Sequence, residues 1–153
     1  MAELINLVVF LVEDQRFALP LPNTLRLVNA TEITLLPNAP LAILGIINYK
    51  GEIIPVLNLR KRLNLPESEL NPSHHFLIAQ TTKHKVALLI DAPQDVIEVD
   101  KLLLVNADEF SSDIEQIQGA IKLHDGLVLI YNLDKFLSPD DVLVLDKALE
   151  QSK

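Results

Sequence analysis

Several groups in this 153-residue chain have side chains that could do chemistry, and their spacing decides what each can do. His74-His75 offers two imidazoles. Neighbours on an extended chain point to opposite faces and no third ligand is obvious, so the pair reads as solvated loop rather than as a metal site. His84 falls in an expected turn and His124 at an expected hairpin tip, both surface positions. Ser111-Ser112-Asp113 has no histidine near it in sequence and no elbow motif around it, so it reads as turn or capping chemistry. Asp140-Asp141 belongs to a helix start rather than to a carboxylate dyad. Gly45 and Gly51 lack the Gly-Lys-Ser/Thr ending and the following long helix of a phosphate loop. Catalysis needs convergent groups with tuned pKa values, and none of these supplies them. The expectation is no enzymatic activity, no metal and no cofactor.

The remaining candidates are for binding. Tyr49 and Lys50 stand beside Gly51, and aromatic and cationic residues are enriched at interfaces. The plainer alternative is that the glycine serves the turn and Tyr49 packs on its neighbouring strand. Leu25 and Leu27 are either exposed apolar contacts or core, and core is the commoner fate of leucine.

Composition narrows the partners. The net charge is −8, from 21 acidic and 13 basic residues, and the densest basic run is Arg60-Lys61-Arg62. A duplex-binding face needs more than that, so nucleic acid is excluded as an expected partner. There are no cysteines, which removes disulfides and thiolate chemistry and suits a reducing cytoplasm. The apolar run from Leu4 to Val12 is nine residues, far short of the roughly 20 that span a bilayer, and reads as a core strand. No direct membrane insertion is expected. Hydrophobic residues make up 49% of the chain, enough apolar surface for a folded protein.

The elements that must position the candidates come from an internal repeat. Residues 43–63 read ILGIINYKGEIIPVLNLRKRL and residues 117–137 read IQGAIKLHDGLVLIYNLDKFL, seven identities without a gap at an offset of 74. All four glycines lie in these two segments. Each copy predicts a strand, a tight turn at Lys50-Gly51 or Asp125-Gly126, and a second strand, Ile53 to Leu57 or Leu127 to Tyr131. Pro55 cannot donate to a ladder, which predicts that its strand is at an edge or bulged. Asn58 and Asn132 then sit as helix N-caps. Leu7–Val12 with Phe17–Leu21 predicts a hairpin at the front of the first half, and Phe76–Ala79 with Val86–Ile90 another before the second copy. Arg26–Leu36 and Val96–Val105 add extended stretches. Pro66–Ser73 is a connector, and Ser138-Pro139-Asp140-Asp141 starts a helix whose Val142, Leu145 and Leu149 share one face.

At this point the chain resembles the CheW-like domains of bacterial chemotaxis coupling proteins. Gly45-Ile46-Ile47-Asn48-Tyr49-Lys50-Gly51 running into Ile53-Ile54-Pro55-Val56-Leu57-Asn58-Leu59-Arg60 is similar to their hairpin signature, and Ala87-Leu88-Leu89-Ile90-Asp91 with Asp95-Val96 to their second-half strand. The likeness runs from about Leu7 to Leu149. It implies a mainly β fold of two SH3-like five-stranded β-barrels packed side by side, with short helices and a C-terminal helix. It implies one CheW-like domain over residues 1–153, made of two interlocked β subdomains with a connector near 66–73.

The resemblance also implies a cytoplasmic, non-catalytic adaptor. Its partners would be the regulatory domain of a CheA-type histidine kinase and the cytoplasmic tip of a chemoreceptor. The alternative is an isolated regulatory or interaction domain of a divergent system, for example a pilus-type one, without receptor coupling. The chain's own start Met and C-terminal helix favour the free-standing adaptor. The resemblance tips Asn48, Tyr49, Lys50 and Gly51 toward one binding surface and Leu25, Arg26 and Leu27 toward another. Two departures bear on partner choice. Lys50 stands where the family has arginine, losing the planar fork, and Arg26 stands where the family often has glutamate.

Overall fold

Two stretches of the chain are apolar at nearly every position, Leu7–Val12 and Phe76–Ala79, and this tells where they must lie: buried on both faces. The computed structural model, which describes residues 3–63, 65–67, 69, 71–106, 117–136 and 138–151, places them so. In β1 (Leu4–Val12), Leu7 and Val9 face one core while Phe10 and Val12 face another. In β6 (His75–Gln80), Phe76 and Ile78 face one way and Leu77 and Ala79 the other. The partner strands β2 (Gln15–Pro20) and β7 (Lys85–Ile90) divide their side chains in the same manner.

The remaining strands are β3 (Thr24–Asn29), β4 (Ile43–Tyr49), β5 (Glu52–Leu57), β8 (Ala92–Asp100), β9 (Leu104–Asn106), β10 (Ile117–Leu123) and β11 (Gly126–Tyr131). They form two sheets, ordered β3-β6-β7-β5-β4 and β8-β1-β2-β11-β10-β9. The hairpins have changed places relative to the sequence reading. The β1–β2 hairpin completes the sheet of the second repeat copy, and β6–β7 completes that of the first. Each exchange is made by a short parallel contact, Leu129–Ile130 against Phe17–Ala18 and Val56–Leu57 against Ala87–Leu88.

The repeat copies occupy equivalent places. Both hairpins shift register at the same point, between Ile43 and Gly45 and between Ile117 and Gly119. One sheet has five strands as expected, while the other has a sixth, β9; its counterpart in the five-stranded sheet is a single bridge from Thr34 to Ile46. Two expectations need correction. Strand β5 is interior, between β7 and β4, not an edge, and the irregularity expected as the alternative falls in its pairing with β4, on the β4 side between Ile43 and Gly45. Pro55 is tolerated there because Ile46 opposite it donates its N–H to the Thr34 carbonyl and accepts the Thr34 N–H, and the parallel ladder to β7 begins only at Val56. The second turn is His124-Asp125, one residue earlier than expected, and Gly126 with φ of 134° opens β11.

The largest core cluster lies between the sheets rather than inside either. Phe10, Phe17, Tyr131 and Phe136 form a chain of tilted rings through it at 6.0–6.2 Å spacing. Helix α2 (Pro139–Gln151) docks on this core through Leu145 and Ala148, with Val142 and Leu149 half-buried at its margin. The helix starts as its sequence demands: Ser138 Oγ accepts the Asp141 N–H at 3.0 Å, and Asp141 Oδ2 accepts the Ser138 N–H at 3.2 Å. Asn58 opens the short helix α1 (Leu59–Arg62) by accepting the Lys61 N–H, and Asn132 accepts the Asp134 N–H, each at 3.1 Å. Ser111-Ser112-Asp113 lies outside the described residues, as do parts of the connector.

Gly45 is where the β3–β4 segment crosses the hairpin. A Cβ there would run into the Thr34 carbonyl and lie 2.7 Å from the Ile33 side chain. Gly51, by contrast, has open space and only its φ of 85° to strain a side chain. Gly45→Ala is therefore expected to lose about 2–3 kcal/mol, through a backbone displacement. Gly51→Ala should lose about 1 kcal/mol. Urea denaturation of both variants measures the difference, and equal losses would mean that the crossing adapts freely.

Candidate functional site

The hairpin tip is built by its own sequence. A two-residue turn with positive φ at both centres matches the twist of the strands, and Lys50 and Gly51 have φ of 51° and 85°. Asn48 closes the turn, its Oδ1 accepting the Gly51 N–H at 2.9 Å. Tyr49 is half-buried against the interior of its own sheet, and the Lys50 ammonium lies 5.5 Å from its ring centre. The packing read from the sequence for Tyr49 thus holds, and its ring also carries the Lys50 cation. Lys50 and Asn48 are exposed. Glu52, next in the chain, pairs with Lys85 of β7 at 2.9 Å.

Leu25, Arg26 and Leu27 lie on β3, the edge strand at the other end of the same sheet's order. Leucine's ordinary fate in the core is overturned here, since Leu25 is 50% and Leu27 40% exposed. The cause is local. Strand β3 shifts register between Thr24 and Arg26, and as an edge strand it has neighbours on one side only. Arg26 is exposed between the two leucines, and no ion pair is found for it among the described residues.

A third constellation was not seen in the sequence. Arg60, on α1, donates to both oxygens of Asp91 at 2.7 Å, to Glu13 and, at 2.9 Å, to the Pro66 carbonyl. Asp91 Oδ2 also accepts the Glu13 N–H at 2.8 Å, which holds Glu13 at a φ of 55°. The node joins four separate segments: α1, the β1–β2 turn, the β7–β8 junction and the connector. Burial pulls the pKa of the Arg60 guanidinium down, but hydrogen bonds and charge from Glu13 and Asp91 outweigh it and leave the net value raised. Arg60 and Asp91 both fall within the quoted motifs, yet they are 31 residues apart, and local spacing carries no sign of the pairing.

His74 belongs to this node, which corrects its reading as solvated loop. It is 5% exposed, with Nε2 3.7 Å from Asp91 Oδ1 and 3.3 Å from Asn71 Nδ2. Asp91 and Asn71 give its Nε2 polar neighbours, while Nδ1 is buried with no hydrogen-bond partner among the described residues. His75 is half-exposed on β6, and His124 is exposed at the second tip. His84 is half-buried against α2, 3.0 Å from Asp146. Among the described residues no group of three or more His, Asp or Glu side chains is placed to hold a metal ion. Among the described residues no helix is long and apolar enough to cross a membrane.

A family model, the CheW-like domain, matches residues 6–140. The probable chemotaxis protein CheW of Rhizobium etli is 27% identical over 135 residues, 87% of each chain. The chemotaxis protein CheW of Bacillus subtilis is 29% identical over 149 residues, 96% of this chain and 90% of that protein. Among solved structures, the scaffolding protein TtCheW from Thermoanaerobacter tengcongensis superposes with a TM-score of 0.82 at 26% identity, covering 92% of this chain and 96% of that one.

Two outcomes test the electrostatics. Arg60→Met leaves two carboxylates facing each other without their cation and should cost about 2–3 kcal/mol by denaturant titration; a loss near zero would remove the node from the fold's supports. At the second tip, the hydrogen bond from Arg16 holds the Asp125 carboxyl below the usual carboxylate range. A depressed carboxyl contributes stability above its unfolded value and loses it as pH falls through the folded one. Arg16→Met should therefore move the Asp125 titration upward, read from its carboxyl carbon resonance, and an unmoved titration would contradict the pairing.

Proposed function

Because the chain belongs to the CheW-like domain family, we propose that it is a non-catalytic adaptor that couples chemoreceptors to a CheA-type histidine kinase. The match over residues 6–140 carries the family and the scaffold role. The finer assignment of partners rests on chemistry at the surface. An adaptor must offer at least two separate docking surfaces that do not disturb its core, and two exposed regions of this chain suit that role. One is the hairpin tip, Asn48, Tyr49, Lys50 and Gly51, a rigid turn that presents a cation over an aromatic ring. The other is the β3 edge, where Leu25, Arg26 and Leu27 are all exposed.

We assign these to the regulatory domain of the kinase and to the cytoplasmic tip of the receptor, with the protein acting in the cytoplasm. Both surfaces are cationic in a chain of net charge −8, which favours partner surfaces bearing carboxylates. Lysine at position 50 makes one point contact where an arginine would make two, so the partner needs only a single acid there.

Calorimetric titration against the regulatory domain of the organism's CheA-type kinase, and against a receptor tip fragment, tests this. Lys50→Glu should weaken binding to one of them about tenfold or more, by opposing like charges. Arg26→Glu should do the same to the other, and each melting temperature should move by no more than about 2 °C. Unchanged affinity in a folded Lys50→Glu protein removes the tip from the interface. Failure of the unmutated protein to bind any such kinase domain of its organism would defeat the coupling function itself.

A further inference from the structure

Both hairpin tips are held by the same contact, and the likeness is visible only through the exchanged hairpins. The repeat makes Val56 and Ile130 equivalent, so their partners across the parallel contacts, Ala87 and Ala18, are equivalent as well. Two residues earlier on those partner strands stand Lys85 and Arg16. Lys85 Nζ is 2.9 Å from Glu52 Oε2, and Arg16 Nη1 is 3.1 Å from Asp125 Oδ1. In each half, then, a cation at one and the same strand position reaches a carboxylate at the tip of the neighbouring hairpin.

The turns themselves have diverged. The first reads Gly51-Glu52 and the second Asp125-Gly126, so glycine and acid stand in opposite order. Positive φ falls at Lys50 and Gly51 in one and at Gly126 in the other. The contact is present in both although the backbone that supports it differs. Stability is a poor reason for it, because exposed ion pairs contribute little. Orientation is a better one: the pair ties the free end of a hairpin to a strand packed between the two cores.

We propose that Lys85 is a positioning residue for docking: through Glu52 it holds the β4–β5 turn in the orientation in which Tyr49 and Lys50 meet their partner. This rests on the reading of that tip as a docking surface. The tip is closed by the Asn48–Gly51 hydrogen bond and the Lys50–Tyr49 contact, and the Lys85–Glu52 pair limits the opening of that hydrogen bond and sets the direction in which the turn points. A surface held in its bound geometry gives up less freedom on association.

The test uses the full chain with Lys85→Met, the exchanged pair Glu52→Lys/Lys85→Glu, Lys83→Met and Lys50→Glu. Hydrogen exchange at the Gly51 amide is read without a partner. Affinity is read by calorimetry against the kinase regulatory domain and the receptor fragment. Lys85→Met should speed Gly51 exchange and weaken binding of the tip's partner about three- to fivefold, with an unchanged melting temperature. The exchanged pair should restore both, which a loss of net charge would not do. Lys83→Met removes the same charge from the neighbouring turn and should change neither. Unchanged Gly51 exchange in Lys85→Met overturns the proposal, as does unchanged affinity where Lys50→Glu weakens binding. If Lys50→Glu also binds normally, the docking reading of the tip fails and this proposal with it.

Discussion

Two short parallel contacts decide how this chain folds, because each joins a repeat copy to the hairpin that precedes the other copy. Phe17–Ala18 against Leu129–Ile130 spans more than a hundred residues, and Val56–Leu57 against Ala87–Leu88 about thirty. Without the first, β1–β2 has no hairpin to extend; without the second, β4–β5 has none. The exchanged hairpins also supply both walls of the core between the sheets, Phe10, Phe17 and Leu19 from one and Leu77, Val86 and Leu88 from the other. Each such side chain contributes about 1.5–3 kcal/mol when fully buried. Neither half can bury that surface alone, so strand pairing and core packing form together.

The Arg60 node sits where the exchanged segments cross, and its role differs from that of the apolar core. A partly buried ion pair is weak support for stability, since desolvation offsets most of the attraction. What it does add is discrimination. Arg60 is satisfied only when the β1–β2 turn, the β7–β8 junction and the connector all arrive at α1. A misplaced hairpin would leave a guanidinium and two carboxylates without partners, which costs far more than the correct pairing gains. The apolar contacts would tolerate other arrangements of two similar hairpins, whereas the node accepts one.

Much of the local structure was legible in the residues. The repeat with its glycines located both hairpins; Asn58 and Asn132 marked helical turns; Ser138-Pro139 marked α2. Alternation and turn signals are local, however, and say nothing of which hairpin joins which sheet. The exchange was therefore invisible, and with it the Arg60–Asp91 and Lys85–Glu52 pairs that depend on it. Leu25 and Leu27 were misleading for the opposite reason: leucine's prior favours burial, and only the edge position of β3 and its register shift expose them. His74 went wrong because its burial depends on Asp91, seventeen residues on and across the sheet. The turn at residues 48–51 was legible because turn chemistry demands glycine there.

The same exchange explains how a chain this small can hold a rigid core and still present surfaces for other proteins. Its largest core is between the sheets, so the outer ends of the hairpins are not needed to close it. Lys50, Gly51, His124 and Asp125 are accordingly all exposed, and their conformations are set by turn geometry and exposed ion pairs. Substitution at a tip therefore alters what the tip meets without reaching the packing beneath it. That separation is physical: the core is closed from β1, β2, β6 and β7 and by Ile43, Leu57 and Tyr131, which stand at the ends of β4, β5 and β11 away from their tips. The two turns could thus diverge to Lys-Gly-Glu and His-Asp-Gly while the strands below them kept one register.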